Sequence, residues 1–146
     1  MAKISKSITI HAPVEKIYDY ISKSTNLPEI WPSLVEIKDF KSLPDGKTTD
    51  SWTYKMAGIH LKGTSTTEYV KNKSVISKTE GGARSIQTWT LKPGDGDTKV
   101  TFEVEYSMPI PVLGKLADAV AAKMNEHEGE IVLANLKARM ESLDIK

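Results

Sequence analysis

The chain opens on a two-residue alternation. Ile4, Lys6, Ile8 and Ile10 fall on one side, and Lys3, Ser5, Ser7 and Thr9 on the other. That period predicts a strand with one mostly apolar face. Pro13 follows where a first helical turn tolerates it, because its missing N–H would have no partner there. Val14, Ile17, Tyr18 and Ile21 then recur at helical spacing and predict a short helix with a single apolar stripe. Ser24 or Thr25 is placed to cap a second short helix running through Trp31. Pro32 ends it, since the residue before a proline is driven out of the α region.

From here the pattern returns to period two. Leu34 to Phe40 reads as a strand with Val35 and Ile37 as its apolar positions, closed by the turn Leu43-Pro44-Asp45-Gly46-Lys47. Trp52, Tyr54 and Met56 alternate with Ser51, Thr53 and Lys55, and Ala57-Gly58 suits a tight turn. Ile59 to Val70 is a long Thr-rich strand, with Leu61, Gly63, Ser65, Thr67 and Tyr69 on one face. Val75 to Thr79 is another, and Gly81-Gly82 after it is a hairpin signal. Ser85, Gln87, Trp89 and Leu91 share a face of the next. Val100, Phe102, Val104, Tyr106 and Met108 form the cleanest alternation in the chain.

Pro109 and Pro111 break that last strand. Beyond them Leu113, Leu116, Ala117, Val120, Met124, Ile131, Ala134 and Leu136 lie near helical spacing. The predicted helix runs from about Pro111 to the end. At about 30 residues it would be about 45 Å long, and Gly129 is the natural place for it to bend. Consecutive strands with short turns imply an antiparallel meander, because parallel strands would need crossovers.

Composition narrows the class. At 146 residues the expectation is one domain, 1–146, large enough to bury a core. An apolar fraction of 39% and a charged fraction of 27% fit a globular protein and exclude a disordered one. Twenty Lys plus Arg against 19 Asp plus Glu leave a net charge of +1, so no general electrostatic case for nucleic-acid binding exists. The absence of cysteine excludes disulfides, thiolate metal sites and a Cys nucleophile. No apolar run approaches the roughly 18 residues that span a bilayer, and the first residues lack an apolar signal core. The expected location is cytoplasmic, as a monomer or homodimer.

Ile8 to Tyr18, with Ala12-Pro13 between an apolar strand and an amphipathic helix, resembles the opening of the START-like superfamily, also called SRPBCC. This group includes birch-pollen-allergen-like, polyketide cyclase/dehydrase and lipid-transport proteins. Leu27-Pro28-Glu29-Ile30-Trp31-Pro32 matches the segment that commonly comes next in it, and the strand-rich middle and final helix match as well, so the resemblance covers essentially the whole chain. It implies an α+β helix-grip fold: a seven-stranded curved antiparallel sheet around a long C-terminal helix, with two short helices after the first strand. It also implies a cavity between sheet and helix. Fold does not by itself give function.

By this resemblance the sheet contributes Trp52, Tyr54, Met56, Leu61, Tyr69, Gln87, Trp89, Phe102, Val104 and Tyr106 to that cavity. The helix contributes Val120, Met124, Ile131 and Asn135. Large flat side chains mixed with a few polar groups are what apolar-ligand pockets use, and for each residue the competing reading is that it fills the core. Trp31 either gates the mouth or plugs the core beneath Pro32. Asn125 to Glu130 gathers His127 with three carboxylates, and His127 and Glu130 share a helix face. The second His of a zinc motif is missing, however, so a solvated face is the reading, no metal ligand is assigned, and no cofactor is implied. Glu128 is set apart, because its spacing from Met124 and Val132 turns it partly inward. His60 reads as exposed, and His11 as a strand end. No nucleophile elbow or Ser/His/Asp ordering exists, so no catalytic residue is assigned.

Three functions are expected, in descending order. The first is binding of a hydrophobic or amphipathic small molecule (a lipid, isoprenoid or polyketide-like compound). The second is an enzyme of the cyclase, dehydratase or hydrolase kind using the same cavity, with Tyr54, Tyr69, Gln87, Tyr106, Glu128 and Asn135 as its polar groups. The third is an accessory or co-chaperone-like module, for which Leu136, Met140, Leu143 and Ile145 would form a docking stripe to a protein partner.

Overall fold

The computed structural model describes residues 2–56, 59–82, 84–107 and 114–142, with side chains for 3–55, 60–82, 84–106 and 126–142. These residues form seven strands: β1 (Ala2–Ile10), β2 (Leu34–Ser42), β3 (Thr48–Met56), β4 (Ile59–Val70), β5 (Ser74–Gly81), β6 (Arg84–Pro93) and β7 (Thr98–Ser107). Helix α1 (Val14–Ser22) and a 3-10 helix (Ser24–Glu29) separate β1 from β2, and α2 (Gly114–Glu141) comes after β7. The strands make one antiparallel sheet in the order β1-β7-β6-β5-β4-β3-β2. From β2 to β7 the sheet is a meander. β1 and β2 are its two edges, so α1 and the 3-10 helix carry the chain from one edge to the other. This is the helix-grip architecture that the sequence implies.

The alternation of β1 is realised: Ile10 is fully buried, Ile4, Lys6 and Ile8 are half-buried, and Lys3, Ser5, Ser7 and Thr9 are exposed. α1 buries Val14, Ile17 and Ile21, the stripe expected of it. Pro13 is its N-cap, one position before the first helical residue, and its carbonyl accepts the Lys16 and Ile17 amides at 3.1 and 3.4 Å. The second short helix differs from expectation. It is a 3-10 helix that includes Ser24 and Pro28 and stops before Trp31, and no side chain caps it.

β2 departs from simple alternation. The pairing with β3 shifts between Leu34 and Glu36, and again between Lys38 and Lys41. A bulge adds one residue and reverses the facing of the positions after it. Leu34 is therefore buried and Ile37 half-buried, while Val35 is 52% exposed and not the inward partner of Ile37. Asp39, at a φ of 57°, lies within the second irregularity.

Two glycines let strands approach closely. Gly63 of β4 pairs with Trp52 on one side and Gly81 on the other. A Cβ on Gly63 would overlap the Glu80 carbonyl and the Trp52 indole, so the ring lies where a side chain would stand. An aromatic ring folded over a cross-strand glycine recovers the packing that glycine forgoes.

α2 is continuous across Gly129, with no break at that position. Its later turns bury Val132, Leu133, Leu136 and Met140, each worth roughly 1.5–3 kcal/mol of burial. Leu136 and Met140 therefore belong to the core and are not available as a docking stripe. Leu143 and Ile145 lie outside the described residues, as do Ala57-Gly58, Pro109, Pro111 and the side chains of Leu116 and Ala117. Polar contacts fix the end of the helix over the β1–α1 corner. The Lys137 ammonium donates to the Thr9 carbonyl (3.0 Å) and pairs with Glu141. Glu141 accepts the His11 amide at 2.8 Å, and Lys16 donates to the Met140 carbonyl at 2.9 Å. The His11 amide first, and Lys137 second, hold the Glu141 carboxyl below its ordinary pKa. Among the described residues no helix is long and apolar enough to cross a membrane.

Two alanine substitutions should move stability in opposite directions. A Cβ at Gly129 would meet Lys6 Cγ at 3.7 Å and Ile4 Cγ2 at 3.9 Å, which is ordinary contact. Gly129→Ala should therefore raise stability by roughly 0.5–1 kcal/mol, the usual gain over glycine within a helix. Gly63→Ala must displace backbone and indole and should cost about 1–3 kcal/mol. Urea unfolding of the two variants beside wild type measures both.

Candidate functional site

The concave face of the sheet encloses a cavity beneath α2 and the 3-10 helix. Its described lining includes Ile4, Ile21, Leu27, Leu34 and Ile37, the rings of Trp31, Trp52, Tyr54, Tyr69, Trp89, Phe102 and Tyr106, and Glu128 and Gly129 of α2. The space open to the centre of a water molecule is about 100 Å³, whereas one water needs about 10–15 Å³. There is room for a small organic molecule.

The structure brings most of the expected residues to this cavity. Trp31, Trp52, Tyr54, Tyr69, Gln87, Trp89, Phe102, Val104, Tyr106 and Glu128 all line it. Leu61 packs against the core from its half-buried position and is absent from the described lining. Ile131 is also half-buried and outside that lining. Asn135 is a strut: its side-chain amide donates to the Ile30 carbonyl at 3.0 Å, fastening α2 to the end of the 3-10 helix. The side chains of Met56, Val120 and Met124 lie outside the described residues.

Aromatic rings form one continuous part of the wall. Trp89 stacks on Phe102 at 4.2 Å between centroids. Trp31 meets Phe102 edge-on at 5.3 Å and Tyr54 edge-on at 6.1 Å. Such pairs add to the burial of their area. Trp31 is only 6% exposed, so it is both core and cavity wall, which joins the two roles that its sequence position left open.

The other part of the wall is polar, and the pattern of the sequence does not single it out. Strand register sets Asp50, Ser65, Thr79 and Ser85 side by side on β3, β4, β5 and β6. The adjacent row is Thr48, Thr67, Ser77 and Gln87. Thr79 and Ser85 hydroxyls are 2.7 Å apart, Thr67 and Ser77 3.0 Å, and Thr48 and Tyr69 2.7 Å. Gln87 donates to Ser85 at 3.3 Å. These small side chains leave space where larger ones would close the sheet onto α2. Their shared inward parity with Tyr69 and Trp89 was the available signal.

Asp50 is the exception within this band. It is 5% exposed and lines the cavity, and no cation pairs with it among the described residues. Burial pushes its carboxyl pKa up, while the nearby Ser24 and Ser65 hydroxyls pull it back down. Ser24 thus faces the cavity wall instead of capping a helix, although its hydroxyl has no partner in hydrogen-bond geometry. Tyr54 is pushed up to about 12, by burial first and then by the charge of Glu128. Tyr69 is raised by burial. Both phenols stay neutral near pH 7.

Glu128 turns inward as its spacing suggests. It lines the cavity, and its carboxylate accepts the Ser33 amide at 2.9 Å, tying α2 to the start of β2. Glu126, His127 and Glu130 are exposed, and Lys6 reaches both glutamates at 3.0 and 3.2 Å. His11 and His60 are exposed too. Among the described residues no cluster of three or more His, Cys, Asp or Glu is arranged to hold a metal.

Asp50→Asn should reveal the cost of the buried carboxyl. The folded pKa lies above the unfolded one, so between them the folded chain holds more protons and stability falls as pH rises. Asp50→Asn should therefore raise the melting temperature at pH 7. The gain should vanish near pH 3, where the wild-type carboxyl is protonated in both states. Calorimetric melts of both proteins across that range measure it.

Comparison with known proteins places this geometry. A family profile described as polyketide cyclase / dehydrase and lipid transport matches residues 1–141. A search of curated proteins found no match. Among solved structures, a protein from Thermus thermophilus superposes with a TM-score of 0.84 at 20% identity, covering 95% of this chain and 97% of its own. A START superfamily protein from Mycobacterium smegmatis gives 0.76 at 18% identity, over 95% and 97%. The Zhui aromatase/cyclase from a Streptomyces species gives 0.75 at 13%, over 97% and 96%. At these identities the structural likeness concerns the fold.

Proposed function

Since this chain belongs to the polyketide cyclase / dehydrase and lipid transport family of the START-like superfamily, we propose that it binds a hydrophobic or amphipathic small molecule in the cavity under α2. The observation that carries this reading is the cavity itself, walled by aromatic rings on one part and by paired hydroxyls on the other. An apolar wall with a few placed polar groups is the usual make-up of a small-molecule site. Burial of the ligand's apolar area supplies the affinity, and the polar band sets its orientation.

A second reading is supported by one feature. Asp50 is a buried acid facing the cavity, with a raised pKa of the kind used for proton transfer. In a cyclase or dehydratase the shaped wall would hold a reactive chain near that carboxyl.

Native mass spectrometry of freshly purified protein, followed by organic extraction, tests the first reading. A stoichiometric apolar or amphipathic ligand is expected. Incubating that ligand with fresh protein and analysing the products separates carrier from enzyme. Val104 is half-buried on the cavity wall. Val104→Trp should fill the space, keep a cooperative melt and weaken ligand binding at least about tenfold. Wild-type protein that carries nothing and is stabilised by no apolar probe would count against a binding role.

A further inference from the structure

The charge on the cavity wall restricts what can occupy it. Its described lining holds two carboxyl groups, Asp50 and Glu128, and no Lys, Arg or His. Glu128 spends one oxygen on the Ser33 amide, as a support for the fold. Asp50 instead lies beside the Ser24 and Ser65 hydroxyls. It is nine-tenths buried and faces the cavity, and it forms no ion pair among the described residues.

Isolated burial of a carboxylate is unfavourable unless a partner arrives. Burial pushes its pKa up, and the nearby Ser24 and Ser65 hydroxyls pull it only partly back. They bring no positive charge. Around it the hydroxyls of Ser65, Thr67, Ser77 and Thr79 offer lone pairs that an N–H group can use. Trp52 and Tyr69 belong to the same wall, and aromatic faces attract cations. A carboxylate ligand such as a fatty acid would instead bring a third negative group into a low-dielectric space.

Resting on the binding reading above, we propose that the cavity selects molecules with an apolar or aromatic body and a protonated amine, and that Asp50 is the carboxylate that pairs with the amine. Asp50 is thus a specificity-determining residue, and the unpaired state of its carboxyl is the site of ligand recognition.

Three probes of one shape test this: 1-naphthylmethylamine, 1-naphthalenemethanol and 1-naphthoic acid, titrated calorimetrically into the full chain at pH 7. The amine should bind at least about tenfold more tightly than the alcohol, and the acid most weakly. Asp50→Asn should abolish the amine's advantage over the alcohol. The ranking in wild type stands as a test even if that variant does not fold. Equal affinities, or an alcohol that binds more tightly than the amine, would overturn the inference and leave the cavity reading intact. An amine preference that survives Asp50→Asn would also overturn it. Failure of all three probes, together with no response to any apolar dye, would remove the binding reading and this inference with it.

Discussion

The site depends on how α2 is seated. Its later turns are pressed onto the core through Val132, Leu133, Leu136 and Met140 and locked by Lys137, Glu141 and Lys16 to the β1–α1 corner. One turn earlier, at Glu128 and Gly129, the same helix borders open space. The struts Glu128–Ser33 and Asn135–Ile30 then hold the 3-10 segment against the helix. The cavity lies beneath the turn at Glu128 and Gly129, between the helix and the sheet.

Side-chain size completes the effect. At the middle of the concave face, four strands present Ser, Thr and Asp where the flanking rows present Trp, Tyr and Phe. The hydroxyls pair with one another across the strands, which meets most of their hydrogen-bonding needs without filling volume. A sheet lined throughout with large apolar groups would pack shut against α2. Here the polar row keeps it open, and the aromatic rows on either side give the space its apolar walls. Trp31, just after the 3-10 helix, joins that helix to this wall through Phe102 and Tyr54.

Much of the architecture was legible in the chain because it rests on local pattern. Period two in β1 and β7, the Ala12-Pro13 junction and the spacing of Val14, Ile17 and Ile21 each act over a few residues, and each appears as expected. Val35 faces the other way because a bulge is set by pairing with β3, and nothing in Leu34 to Phe40 announces the extra residue. Gly129 suggests a bend, yet the helix is continuous there, beside Ile4 and Lys6 of β1. Ser24 suggests a cap, but its hydroxyl instead lies near Asp50, a neighbour 26 residues later in sequence.

The sequence by itself determined the order of elements, the antiparallel sheet and which aromatic residues share a strand face, since strand parity and helical period are properties of neighbours along the chain. Tertiary structure alone decided that Asp50, Ser65, Thr79 and Ser85 stand in one row, because that depends on the register between four strands. It also decided which inward residues border space and which are core or strut, as with Tyr54 against Leu61 and Glu128 against Asn135. Facing is a local property, whereas volume and charge in a cavity are sums over side chains that meet only when the sheet curves beneath the helix.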